Sequence, residues 1–227
     1  MDRLTGVVRD YAWGDRAFVA ELQGRVPTGG PEAELWLGDH PSAPATVTGR
    51  GVTLAELIAA DPVGTLGPAV ADRYGSMPYL LKVLAAAEPL SIQAHPSAEQ
   101  ARAGFAREEA AGIPRDAPER TYRDPNPKPE IIAALTDFEA KCGFRPSAAT
   151  GRLLTALASA ALDGDPGAPV LAELAARATG GAPGPGGPTR RLVADLLGLD
   201  PVAAKTLVGT TVAAAERLLA TGQTPAH

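Results

Sequence analysis

Polar and apolar residues alternate through Pro89 to Pro96 (Pro-Leu-Ser-Ile-Gln-Ala-His-Pro). The spacing predicts a β-strand with Ser91, Gln93 and His95 on one face and Leu90, Ile92 and Ala94 on the other. The same period predicts a short strand over Val7 to Trp13 that ends in a turn at Gly14 and Asp15. It predicts another over Ala33 to Gly38, with Leu35 and Leu37 opposite Glu34 and Trp36. Ala17 to Leu22 has room for one or two helical turns, and Gly24 to Pro31 is a loop. Pro78 to Ala85 is apolar except for Lys82 and reads as a central strand, while Ile131 to Leu135 and Phe138 to Phe144 read as adjacent strands of the same sheet. Two helix starts carry a capping box: Thr53 with Glu56, and Ser97 with Gln100, the second opening a helix that runs to about Ala110.

Beyond Pro146 the period changes to that of a helix. Leu153, Leu154, Leu157, Ala160 and Ala161, then Leu171, Leu174, Ala175 and Ala178, then Leu207, Val208, Val212, Ala215, Leu218 and Leu219 each form an apolar stripe. The Gly and Pro run at 180–188 predicts a flexible linker inside this helical module. A second irregular stretch, 112–127, is stiffened by prolines and delivers Lys128 and Glu130.

The chemistry gathers on two extended segments. Gln93, His95 and Glu130 offer oxygen and nitrogen donors that can converge on one divalent metal, with zinc the first candidate for a site mixing imidazole and carboxylate. Ser91 and Lys128, one alternation away, suit an anionic substrate. Lys82 among large hydrophobes must reach an edge or meet an anion. Glu34 and Trp36 share a face, which fits a sugar site or, equally, a core Trp36 beside a surface Glu34. His40, without a partner at ligand spacing, reads as a surface or hydrogen-bonded residue. Glu139 and Lys141 read as a cross-face ion pair, and the lone Cys142 as a small buried hydrophobe.

Composition narrows the class. The 227 residues are 45% hydrophobic with net charge −5, enough for one large or two small soluble domains. The absence of a basic cluster argues against nucleic acid or an anionic membrane surface as partner. A single cysteine, no signal-like start and no membrane-length apolar run make the cytoplasm the expected location.

Six blocks in order, Tyr11-Ala-Trp-Gly14, Ala33-Glu-Leu-Trp-Leu-Gly-Asp-His-Pro-Ser42, Leu80-Leu-Lys-Val-Leu-Ala85, Leu90-Ser-Ile-Gln-Ala-His-Pro96, Lys128-Pro-Glu130 and Phe138-Glu-Ala-Lys-Cys-Gly-Phe-Arg145, resemble the zinc-dependent type I mannose-6-phosphate isomerases of the cupin superfamily. The resemblance implies an α+β chain. Residues 1–146 would be the N-terminal part of a cupin (jelly-roll) catalytic domain, and 147–227 an α-helical insertion domain with its Gly/Pro linker at 180–188. It implies interconversion of mannose 6-phosphate and fructose 6-phosphate through an enediol, at one Zn2+ per chain. Gln93, His95 and Glu130 match three zinc ligands, and Ser91 and Lys128 match positions near the substrate phosphate, with Lys82 a further substrate-binding candidate. No catalytic base is assigned, and Ala98 stands where the family often has lysine. The fourth ligand, a histidine, and a phosphate-facing arginine have no counterpart before the chain stops at His227, itself a poor stand-in at the end of a tail. The expectation is therefore a chain lacking the family's C-terminal part, weak in zinc and slow in turnover unless that half is supplied as a partner. The alternatives are a non-catalytic cupin that binds sugar phosphate, and an inactive fragment of a split gene.

Overall fold

The computed structural model describes residues 2–180 and 187–222. The first unit, Met1–Ile131, runs β1 (Leu4–Thr5), β2 (Val7–Arg9), α1 (Phe18–Leu22), β3 (Glu34–Leu37), β4 (Thr46–Val47), β5 (Val52–Thr53), α2 (Leu54–Ala60), α3 (Pro62–Leu66), α4 (Pro68–Tyr74), β6 (Leu81–Leu84) and α5 (Ala98–Ala110). The second, Ile132–His227, holds α6 (Ser147–Ala160), α7 (Ala168–Thr179), α8 (Gly187–Leu197) and α9 (Pro201–Ala220). The chain is thus α+β, small sheets followed by helices. Among the described residues no helix is long and apolar enough to cross a membrane.

In the first unit β3 is the centre of an antiparallel sheet of order β2-β3-β6. The register sets Val8, Leu35 and Val83 side by side on one face, where they pack with Val19, Ala85 and Phe18 as the unit's core. On the other face the same register aligns Arg9 with Glu34 and Trp36 with Lys82. One face is apolar and covered, the other charged, as period-two alternation requires. A second sheet of two-residue strands, β1-β4-β5, feeds α2, whose start is fixed by the Thr53 and Glu56 capping box. Ser97 and Gln100 make the same reciprocal bonds at the start of α5.

The helical unit buries Leu157, Leu171, Leu174, Ala178, Leu192, Leu207 and Ala214 against one another. The first two stripes are those expected from the sequence, and α8 joins them, which the apolar pattern does not predict; in α9 the expected face is shifted, with Ala214 buried while Val208, Val212 and Leu219 are exposed. Asp200 caps α9 through the backbone N–H groups of Val202 and Ala203. The linker expected over 180–188 falls largely outside the described residues, as does His227.

Several expectations need correction. Residues 89–97 form no strand, and neither Ile131 to Leu135 nor Phe138 to Phe144 is a strand. Alternation gives a segment two faces, but a strand also needs a neighbour to hydrogen-bond with, and no ladder partner is present for these segments among the described residues. Their apolar side chains face solvent instead: Ile92 is 101% and Ile131 99% exposed, with Leu135 and Phe144 at 71% and 75%. Cys142 is exposed rather than buried, and Glu139 and Lys141 are both exposed rather than paired on a sheet face. The run around Lys82 gives only β6, at the sheet edge instead of its centre.

Candidate metal centre

Although 89–97 is not a strand, its extended course still points Gln93 and His95 to the same side. Gln93 Oε1 lies 3.4 Å from His95 Nε2. Glu130 Oε2 lies 3.9 Å from that same nitrogen. Two oxygens from distant parts of the chain thus converge on one imidazole nitrogen. Ligands bonded at ~2.0–2.2 Å to a tetrahedral ion stand about 3.4 Å from one another, close to the two separations measured from His95 Nε2. The three donors are a neutral amide, an imidazole and a carboxylate, a mixture suited to zinc. The site is open: Glu130 is 60% exposed and His95 32%. Among the described residues no group of three or more His, Cys, Asp and Glu side chains is clustered as a metal site.

Lys128 Nζ is 3.5 Å from Asp124 Oδ2, and the lysine is 56% exposed. Ser91 is exposed on the segment that carries Gln93 and His95. Lys82 meets an anion of the protein itself. Its ammonium is 3.7 Å from the buried Glu34 carboxylate and 5.1 Å from the centre of the Trp36 ring. Glu34 is therefore not a surface residue, and the face it shares with Trp36 is a packed polar one.

Sequence reasoning missed Arg9, whose guanidinium lies 5.1 Å from the Trp36 ring centre and 5.5 Å from that of Tyr11. The Arg9 Nε is buried without a hydrogen-bond partner, so the guanidinium is held by stacking on the two rings. The available signal was the i, i+2 spacing of Arg9 and Tyr11 in the expected strand over Val7 to Trp13. His40 sits edge-on to Trp36 with centroids 4.9 Å apart, and its Nδ1 accepts the Ser42 backbone N–H at 3.2 Å. Desolvation pushes the His40 pKa below its usual 6.5, and the positive charges of Lys128, Lys82 and Arg9 push the same way against Asp124. Lys128 is thus near enough to His40 to act on it by charge, while Glu130, two residues on, pairs with His95.

Comparison with known proteins matches residues 1–147 to the family described as phosphomannose isomerase type I, catalytic domain. The mannose-6-phosphate isomerase of Escherichia coli (strain K12) is 47% identical over 164 residues, an alignment covering 70% of this chain and 42% of that protein. The Salmonella typhimurium mannose-6-phosphate isomerase is 48% identical over 149 residues, covering 64% and 38%. The crystal structure of the latter enzyme bound to fructose 6-phosphate and zinc superposes with a TM-score of 0.75 at 38% identity, over 95% of this chain and 52% of that one. A mannose 6-phosphate isomerase structure bound with zinc and yttrium gives the same TM-score at 37% identity. The chain spans about half the length of the solved structures it matches and about two fifths of these bacterial relatives.

Proposed function

The chain belongs to the type I phosphomannose isomerase family, and on that premise we propose that it carries the metal-binding and phosphate-facing part of an aldose-ketose isomerase acting on mannose 6-phosphate and fructose 6-phosphate. The observation behind this reading is the convergence of Gln93 Oε1 and Glu130 Oε2 on His95 Nε2. Gln93, His95 and Glu130 hold one Zn2+. Zinc bound there supplies Lewis-acid stabilisation of negative charge developing on the sugar oxygens. Glu130 is a ligand in this reading, not the base.

Lys128 and Ser91 face the substrate phosphate. The Lys128 pair with Asp124 is exposed, and pairs of this kind contribute only ~0–1 kcal/mol, so exchanging Asp124 for a phosphate costs little. Lys82 is held at its station by Glu34 and Trp36 and presents one positive charge to the same polyanion. Residues 1–146 are the N-terminal part of a cupin catalytic domain, and 147–227 a helical insertion. The solvent-facing apolar segments at 89–96 and 131–144 take up strand pairing when a jelly-roll partner, the family's C-terminal half, is supplied.

The test is metal content and isomerase turnover of the purified chain, alone and with that half added. One zinc per chain and mannose 6-phosphate turnover on addition are expected, with His95→Ala losing both. Zinc uptake unchanged in His95→Ala would overturn the assignment.

A further inference from the structure

The side chain of Arg120 is completely buried, in a stretch where every other charged residue is at the surface or half-buried. Its Nε donates to the Tyr122 carbonyl at 2.8 Å and lies 3.1 Å from Glu108 Oε2. Its Nη1 donates to the Ile113 carbonyl, and its Nη2 to Glu109 Oε1 at 2.8 Å. Its Cζ also lies 5.2 Å from the centre of the Phe105 ring. Glu108 closes the knot from the helix side by accepting the backbone N–H groups of Thr121 and Tyr122, at 3.3 and 2.7 Å. The Tyr122 ring then rests on Gly104, where an added Cβ would meet it at 2.5 Å. One guanidinium thus ties the loop at two places, Ile113 and Tyr122, to helix α5.

What leaves this knot is a stiff arm. Pro125, Pro127 and Pro129 alternate with Asn126 and Lys128. Proline fixes its own φ near −65°, and it also drives the preceding residue into extended geometry, so Asp124, Asn126 and Lys128 are restricted as well. A segment so built behaves as a semi-rigid spacer, and the direction in which it sets out determines where it ends. It ends at Lys128 and Glu130. Helix α5 itself begins two residues after His95, at the Ser97 cap. The same helix therefore carries His95 and Gln93 at its start and the root of the Glu130 arm near its end.

We propose that Arg120 is a positioning residue: its buried guanidinium sets the angle of the proline arm against helix α5 and so fixes Glu130, and with it Lys128, relative to Gln93 and His95. The proposal rests on reading Gln93, His95 and Glu130 as the metal site. Lysine cannot replace arginine here, because a point ammonium has no planar fork to span the Ile113 and Tyr122 carbonyls and two carboxylates at once. Loosened orientation of a ligand typically costs a metal site about tenfold or more in affinity.

The experiment uses the full chain with Cys142→Ser, Arg102→Cys and Asn126→Cys, spin-labelled on α5 and on the arm, read by pulsed electron resonance and by Co2+ titration followed through d–d absorption. Arg120→Lys and Glu108→Gln, which weaken the knot from opposite sides, are each added to this background. Both are expected to broaden the distance distribution and to weaken Co2+ binding about tenfold, with far-UV circular dichroism unchanged. Unchanged distributions, broadened distributions with unchanged Co2+ affinity, or loss of helix signal in both variants would each overturn the proposal. If the parent chain takes up no Co2+ even with the family's C-terminal half added, the metal reading of the site fails on its own. The distance distributions then still decide whether Arg120 sets the arm.

Discussion

Trp36 and Glu34, two residues apart on one strand, are joined side chain to side chain: the indole N–H donates to the carboxylate over 2.7 Å, with both residues buried. Lys82 from the neighbouring strand neutralises the same carboxylate at 3.7 Å. Removing the carboxylate leaves a buried indole N–H without an acceptor and costs about 1–3 kcal/mol. Glu34→Ala should lower the urea midpoint accordingly with the slope unchanged. A midpoint within error of the parent would mean the indole finds another acceptor.

His40 is expected to titrate below 6.5, as its desolvation and the surrounding cations require. A histidine whose folded pKa is depressed stabilises the protein above its unfolded pKa of 6.5, and that contribution is lost as pH falls from there through the folded value. Replacing Lys128 with Met removes one of the charges holding the value down, so the His40 ring resonances should titrate at higher pH in the variant. No movement would place Lys128 away from the sheet face.

Glu109 receives hydrogen bonds from Arg115 and Arg120, which lower its pKa from 4.5 to about 2. The stabilisation is complete above the unfolded value and disappears as pH falls toward about 2. Unfolding measured against pH should therefore weaken more steeply through this acid window in the parent than in Glu109→Gln. Parallel curves would count against the pairing.

In the helical unit Leu171 is 1% exposed at the meeting of α6, α7 and α9. Leu171→Ala should cost about 2–5 kcal/mol, read from thermal unfolding of the helix signal. A smaller loss would indicate that its neighbours collapse into the space.

Features set by residues close together along the chain are legible in the sequence. The capping boxes at Thr53 and Ser97 need only a side chain and a backbone three residues away, and both form. The stripe through Leu171, Leu174 and Ala178 needs only a helix to align it. Gln93 and His95 are legible as side chains sharing one side, but their segment is not legible as a non-strand, since a strand exists by virtue of its partner. The knot around Arg120 is invisible for a related reason: its members, Phe105, Glu108, Glu109, Ile113 and Tyr122, follow no period, and a loop arginine gives no sign in sequence of lying fully buried. The need of Lys82 for an anion is plain from its apolar neighbours, yet nothing local identifies that anion as Glu34.

The contact between the Tyr122 ring and Gly104 has a consequence for engineering. Replacing a glycine inside a helix by alanine ordinarily stabilises by about 0.5–1 kcal/mol, and Gly209 in α9, with nothing within 4 Å of its added Cβ, is a place where that gain is available. At Gly104 the same exchange drives a methyl group into a rigid ring at 2.5 Å, and the ring is part of the root of the proline arm. Two helix glycines that look interchangeable on a propensity scale therefore differ in sign, and a thermostabilised variant must spare the one in α5.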